Sequence, residues 1–400
     1  TQEGVDSLMH VVVAALPYDL SESPFDGFVI RHLDIVEALA ARYPVTLLLI
    51  RRPGENHHVS ARLANLPRAE VEATWRVTAR RSRIAHAVRS SLNVDSSPVT
   101  AAFHRVVEQI GADVAVTIGP WLNHEFRPVF KRLPSLHLLE EDLSRMSEIA
   151  PQSPQARVFR SVERGLHRRN RDQPVLVGVI ADPELRLGKR LYPKSRVLVV
   201  PYSLPTADWP LADQRSIGQR VIVTGVLVQE RNAEGLAAVL SEIQRADLFH
   251  KIRFDLVTNA GIHESVRAFI DGHNVRHVTP ESSLYQHYRS ARVALIPATR
   301  VTGLKTTVLQ AWAAGCPVVC YPQSRATLGP GAGSAVLVGR DAGEVVERLI
   351  AVIDDDDTAE SLVASGRVLM ETRFRPGAQI DAVSGLLVEL ATHGRQAADH

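Results

Sequence analysis

The chain has 400 residues, 45% hydrophobic and 22% charged, with Lys and Arg (46) nearly balancing Asp and Glu (44). A single core stops growing below this length, so two domains are expected. The lack of low-complexity tracts or long charge runs excludes a disordered or fibrous protein. The formal charge of +2 excludes a surface-wide footprint for nucleic acid.

In chain order, His10–Leu16 is an apolar, β-branched run of the kind that forms a buried parallel strand. Turn formers fill 17–27. Val29, Leu33, Val36 and Ala40 then recur at helical spacing, and the predicted helix ends before Pro44, ahead of a second strand at Val45–Ile50. The arginine-rich stretch Pro67–Ser91 reads as a solvated helical face. Further strands are expected at Val114–Ile118, Leu136–Leu139, Val175–Ile180 and Val197–Val200. Pro201, Pro205 and Pro210 mark a domain crossing.

The alternation restarts with strands at Val221–Thr224, Ile252–Val257, Val275–Val278, Val293–Ile296 and Val318–Tyr321, and helices at 233–246, 263–271, 283–291 and 304–314. The expected organisation is an amino-terminal Rossmann-like domain over 9–203, a linker over 204–217, a carboxyl-terminal Rossmann-like domain over 218–385 and a tail over 386–400. The fold class is α/β, two doubly wound parallel sheets facing across a cleft, with ligands at the carboxyl ends of the strands.

No apolar run approaches the roughly 20 residues that cross a bilayer, and Thr1–Leu8 lacks the apolar core of a secretory signal. Neither a membrane span nor peripheral membrane contact is expected, and a reducing cytoplasm is the expected compartment. Cys316 and Cys320 are too few for a metal site. Of the 46 basic residues 41 are arginine, a bias that reads as a GC-rich bacterial genome.

Two stretches carry chemistry. Around Val301–Val319, Gly303 lets backbone approach a ligand, the helix that follows points its positive dipole end at an anion, and Lys305 adds a full charge. Thr306 and Gln310 share a stripe with Gly303, while Val308 and Trp312 lie on another. An ordinary amphipathic helix ended by Gly315 accounts for the same letters. In the second stretch, Val221–Asn232, a strand runs into Gly225 and a loop carrying Arg231, which could grip a phosphate; a surface arginine is the plainer account.

Together these stretches resemble the carboxyl-terminal domain of GT-B glycosyltransferases of the group 1 family (glycosyltransferase family four and its relatives). Gly303, Lys305, Leu309, Ala311, Ala313, Gly315, Pro317, Val318 and Val319 match the family's Gly-x-(Arg/Lys)-x-Lys-x-Leu-Glu-Ala-x-Ala-x-Gly-x-Pro-Val-Val pattern. The segment Val275–Pro297 resembles the part that receives the nucleotide base. The family's two glutamates are replaced here by Thr302 and Gln310, the arginine after Gly225 is Val226, and the lysine two beyond Lys305 is Thr307.

The resemblance implies a glycosyltransferase that uses a nucleoside-diphosphate sugar and retains the anomeric configuration; no Asp-x-Asp motif is evident in a suitable loop, so no metal or other cofactor is expected. It assigns catalysis to Arg231, Lys305 and His124, and donor binding to Gly225, Thr279, Leu284, Thr302, Gly303, Leu304, Thr306 and Gln310. Gly27 and Glu141 fall on the acceptor side. His124 reads equally as a solvent-facing loop histidine, and for Glu141, within Glu140-Glu141-Asp142, an exposed acidic loop is the plainer account. The expected partners are the nucleotide sugar and a small-molecule acceptor, with a homodimer left open and specialised-metabolite (antibiotic) biosynthesis as the expected setting. The alternative is a catalytically weak GT-B protein that binds a nucleotide sugar or supports a partner enzyme.

Overall fold

A computed structural model describes residues 9–15, 20, 27–51, 58–72, 104–105, 107–118, 133–139, 176–204, 208–216, 218–228, 230–259, 261–270, 274–280, 283–301 and 303–398. The chain divides into two compact units, Thr1–Pro201 with Gln379–His400, and Tyr202–Ala378. No described helix is long and apolar enough to cross a membrane.

The first unit holds a parallel sheet built from β1 (Val11–Ala15), β2 (Val45–Arg51), β3 (Arg68–Glu72), β4 (Val114–Ile118), β5 (Ser135–Leu139), β6 (Leu176–Val179) and β7 (Arg196–Val199). Its order is β3-β2-β1-β4-β5-β6-β7. Every residue of β1 and β4 is buried, as the continuous apolar runs require of strands covered on both faces. Helix α1 (Gly27–Ala40) follows β1, and α2 (Asp182–Leu191) follows β6. Strand order reverses between β1 and β4, which makes their carboxyl ends the switch point of this sheet.

The arginine-rich stretch differs from its reading as a helix. Residues 68–72 form β3, paired in parallel with β2 from Leu47↔Arg68 to Arg51↔Glu72; residues 73–91 lie outside the described residues. At the end of the sheet one row of backbone and alternate side chains stay wet, so charge is tolerated in a strand. Arg51 pairs with Glu70 at 2.8 Å.

The second unit holds β8 (Val221–Thr224), β9 (Phe254–Val257), β10 (Val275–Val278), β11 (Val293–Ile296), β12 (Val318–Cys320) and β13 (Leu337–Val338) in the parallel order β10-β9-β8-β11-β12-β13. Its helices are α3 (Glu230–Arg245), α4 (Glu264–Arg267), α5 (Leu284–Arg289), α6 (Thr306–Ala313), α7 (Pro322–Ala326), α8 (Ala342–Asp354) and α9 (Asp356–Thr372). Here the order reverses between β8 and β11.

Helix α10 (Ala378–Ala398) departs from the boundary expected at 385 and the tail expected after it. Its residues belong to the first unit from Gln379 onward. Ile380, Val383, Leu386, Leu387 and Ala391 form an apolar stripe at helical spacing within the core that contains β1, β2 and β4. Arg42 of the loop after α1 pairs with Asp381 at 2.7 Å, and Arg196 of β7 pairs with Glu389.

Candidate functional site

The switch point of the second sheet gathers residues 225–228 after β8 and residues 297–301 and 303–305 after β11, each ahead of a helix that starts at the carboxyl end of the sheet. At Gly225 the backbone takes φ 109°, which a side chain resists, and a Cβ built there would meet nothing within 4 Å. Backbone is thus exposed to whatever occupies that space. Asn232 donates from Nδ2 to the Val226 carbonyl at 3.0 Å and closes the turn before α3. Arg231 stands in the first turn of that helix, half-buried.

The second loop is held against α3. A Cβ at Gly235 would lie 2.0 Å from the Pro297 carbonyl oxygen, so only glycine allows this approach. One residue earlier, Glu234 pairs with Arg300 of the loop at 2.8 Å. The far end of the loop rests on α7: Ser324 Oγ donates to the Ala298 carbonyl at 3.4 Å, Thr327 Oγ1 to the Ser324 carbonyl at 2.8 Å, and the Lys305 N–H to Thr327 Oγ1 at 3.4 Å.

Gly303 is left-handed at φ 63°. Lys305, expected in the first helical turn, is instead the residue that caps α6, with φ −80° and ψ 89°; the helix proper begins at Thr306. Leu304 is buried, so what it can offer a ligand is backbone. Along α6, Val308, Leu309, Ala311, Trp312 and Ala313 are buried, while Thr306, Thr307 and Gln310 are only half-buried. The polar stripe expected from spacing is therefore the open face.

The end of α6 is fixed as firmly. Gly315 takes φ 65°, its N–H bonds to the Trp312 carbonyl at 3.0 Å and that of Cys316 to Ala311 at 2.8 Å, the paired bonds of a Schellman cap. The Trp312 indole N–H donates to the Ala335 carbonyl at 3.1 Å.

Tyr288 of α5 is fully buried and joins the two walls, with its hydroxyl 2.5 Å from Thr224 Oγ1 and 3.3 Å from the Thr307 carbonyl. Burial pushes its pKa well above the usual phenol range, so it is neutral at any physiological pH.

Of the residues expected from sequence, Gly225, Arg231, Gly303, Leu304, Lys305, Thr306 and Gln310 come from the two loop-and-helix elements at this one switch point. Thr279, exposed, follows β10, and half-buried Leu284 opens α5, both on the β10 side of the sheet. Gly27 opens α1 in the first unit. Thr302, His124 and Glu141 lie outside the described residues. Thr224, Tyr288, Glu234 and Arg300 were not singled out by sequence, and a hydroxyl closing an apolar strand just before a glycine was the available signal for Thr224.

Two helix starts, each a partial positive charge, with Arg231 and Lys305 beside them, form a place for a polyanion. The whole chain is similar to sucrose-phosphate synthase from Thermosynechococcus elongatus (14% identity, TM-score 0.67, covering 98% of this chain and 99% of that one). It is similar also to Anabaena HepE in complex with UDP (12%, 0.67, 96% and 100%) and to WaaG, a glycosyltransferase involved in lipopolysaccharide biosynthesis (12%, 0.60, 94% and 99%). No curated protein matches the sequence. These likenesses show the GT-B fold. Residues 218–355, most of the second unit, match the family described as glycosyl transferases group 1.

Proposed function

We propose that the protein transfers a sugar from a nucleoside-diphosphate sugar to a small-molecule acceptor, with the donor held by the second unit. The observation that carries this is the convergence of two helix starts, two left-handed glycines and the cations Arg231 and Lys305 at the β8/β11 switch point.

Transfer breaks the bond between the anomeric carbon and the diphosphate oxygen, so negative charge grows on the departing diphosphate. Lys305, Arg231 and the starts of α3 and α6 are aimed where that charge develops, and they are in place before reaction. Gln310 hydrogen-bonds donor hydroxyls as a neutral amide. Thr279 and Leu284 lie toward the base, with Thr302 near the sugar. The acceptor falls to the first unit, near Gly27, His124 and Glu141, and attacks on the leaving-group face, so that configuration is retained. The arginine-rich composition supports a bacterial specialised-metabolite, antibiotic-type pathway in the cytoplasm.

Because two organic cations serve the leaving group, turnover survives EDTA; loss with chelator and recovery with magnesium or manganese would overturn that part. The donor is tested by thermal shift with UDP, GDP, dTDP and ADP. UDP is the first probe, since the similar HepE structure holds it. A binder at ten times its Kd adds about 1.4 kcal/mol of stability. Hydrolysis or transfer from the matching nucleotide sugar then separates the enzyme from a protein that only binds: binding without any turnover favours the second reading, which the Thr302 and Gln310 replacements support.

A further inference from the structure

Three elements of the second unit meet on one phenol. The Tyr288 hydroxyl donates to the Thr307 carbonyl and lies within hydrogen-bond reach of Thr224 Oγ1. A phenol has a single hydrogen. With it directed to Thr307, the Thr224 hydroxyl is the donor to Tyr288, and the relay runs from Thr224 through Tyr288 to Thr307.

Both ends of that relay border the candidate donor site. Thr224 is the last residue of β8, directly before the left-handed Gly225. Thr307 is in the first turn of α6, two residues beyond Lys305. The phenol itself rides on α5, the helix that Leu284 opens, and the Trp209 ring meets Tyr288 edge-on at 6.1 Å and Tyr285 at 6.0 Å. A residue that only filled core would need no hydroxyl here.

We propose that Tyr288 is a positioning residue of the donor site, whose hydroxyl fixes the spacing between the Gly225 turn and the first turn of α6 and locks both to α5. The inference rests on the second unit being the donor domain. It follows that the nucleoside end and the diphosphate end of the donor are held in one register. Tyr288→Phe keeps the ring and its packing but removes the oxygen that both walls share. The walls then relax by fractions of an ångström, which directional bonds to a diphosphate register more than contacts to a base do.

The test uses whichever of UDP, GDP, dTDP and ADP binds the wild-type chain most tightly, together with its monophosphate, by isothermal titration. In Tyr288→Phe the diphosphate should lose about tenfold in affinity while the monophosphate stays within about twofold, and kcat on the matching nucleotide sugar should fall by more than KM changes. Thr224→Val should show the same selective loss, Thr224→Ser should restore it, and Tyr288→Phe with Thr224→Val should lose little beyond either alone, because they cut one relay. The Thr224 pair decides the matter even where Tyr288→Phe fails to fold. Equal losses for diphosphate and monophosphate, or an unchanged ratio between them, would overturn the inference while leaving the donor site intact. A wild-type chain that binds none of the four nucleotides would instead sink the donor-site reading, and this inference with it.

Discussion

In the proposed mechanism, Lys305 is the side chain on which the chemistry depends most. If it neutralises charge that grows as the diphosphate leaves, Lys305→Ala lowers kcat by roughly a hundredfold or more. Nucleotide affinity falls less, because Arg231 and the helix starts still hold the ground state. A Lys305→Ala enzyme with wild-type turnover would refute the role. The buried thiols give a second residue-scale expectation. Burial pushes Cys316 and Cys320 up to about 12, against about 8.5 in an unfolded chain. The folded state thus prefers the neutral thiol, and the stability it contributes is complete below about pH 8.5 and is lost between there and about pH 12. Tyr321, also pushed up to about 12 by burial and by Asp341, acts in the same direction. Thermal melts across this range should fall more shallowly in a Cys316→Ala, Cys320→Ala variant; an unchanged slope would show that the thiols are not responsible. Gly303, Lys305, Gly225 and Arg231 were legible in sequence because glycine-then-cation patterns are local. Tyr288 with Thr224, and Arg300 with Glu234, are pairs 64 and 66 residues apart, and no local pattern brings them together.

Among the elements, α6 shows what sequence periodicity conveys and what it omits. Its apolar stripe and its Gly315 stop were both readable, since each is a property of one helix. Its fit against α9 was not: a Cβ on Gly366 would come within 2.5 Å of Trp312 Cδ1. Gly366→Ala should therefore force α9 away from the indole, at a cost of about 1–3 kcal/mol in denaturant unfolding, with the Trp312 environment altered in fluorescence. A neutral result would mean that the helices have room to slide. Strands β3 and β13 escaped prediction for separate reasons. The first is charged because it lies at the end of its sheet. The second has only two residues, too short for any alternation to register.

For the molecule as a whole, the decisive segment is the last helix. The doubly wound plan of both units could be read from alternating apolar strands and amphipathic helices, yet the place of 379–398 could not, because a stripe of apolar residues does not say which core it enters. Each larger apolar side chain of α10 contributes about 1.5–3 kcal/mol by burial, so deleting 379–400 removes more than the usual margin of stability from the first unit. A chain ending at Ala378 should lose the melting transition of the first unit and expose dye-binding apolar surface, while a nucleotide-dependent transition from the second unit persists. Two intact transitions would show that α10 is dispensable.

The return of α10 also dictates an order of events during synthesis. The second unit is continuous from Tyr202 to Ala378, so every strand and helix it needs has been synthesised before Gln379 is added. The first unit, begun far earlier, holds an uncovered stripe until α10 emerges, and must wait as an incomplete nascent domain while a later one finishes. Chaperone occupancy should consequently concentrate on the first unit and persist until α10 is released, the reverse of the order in which the two units begin.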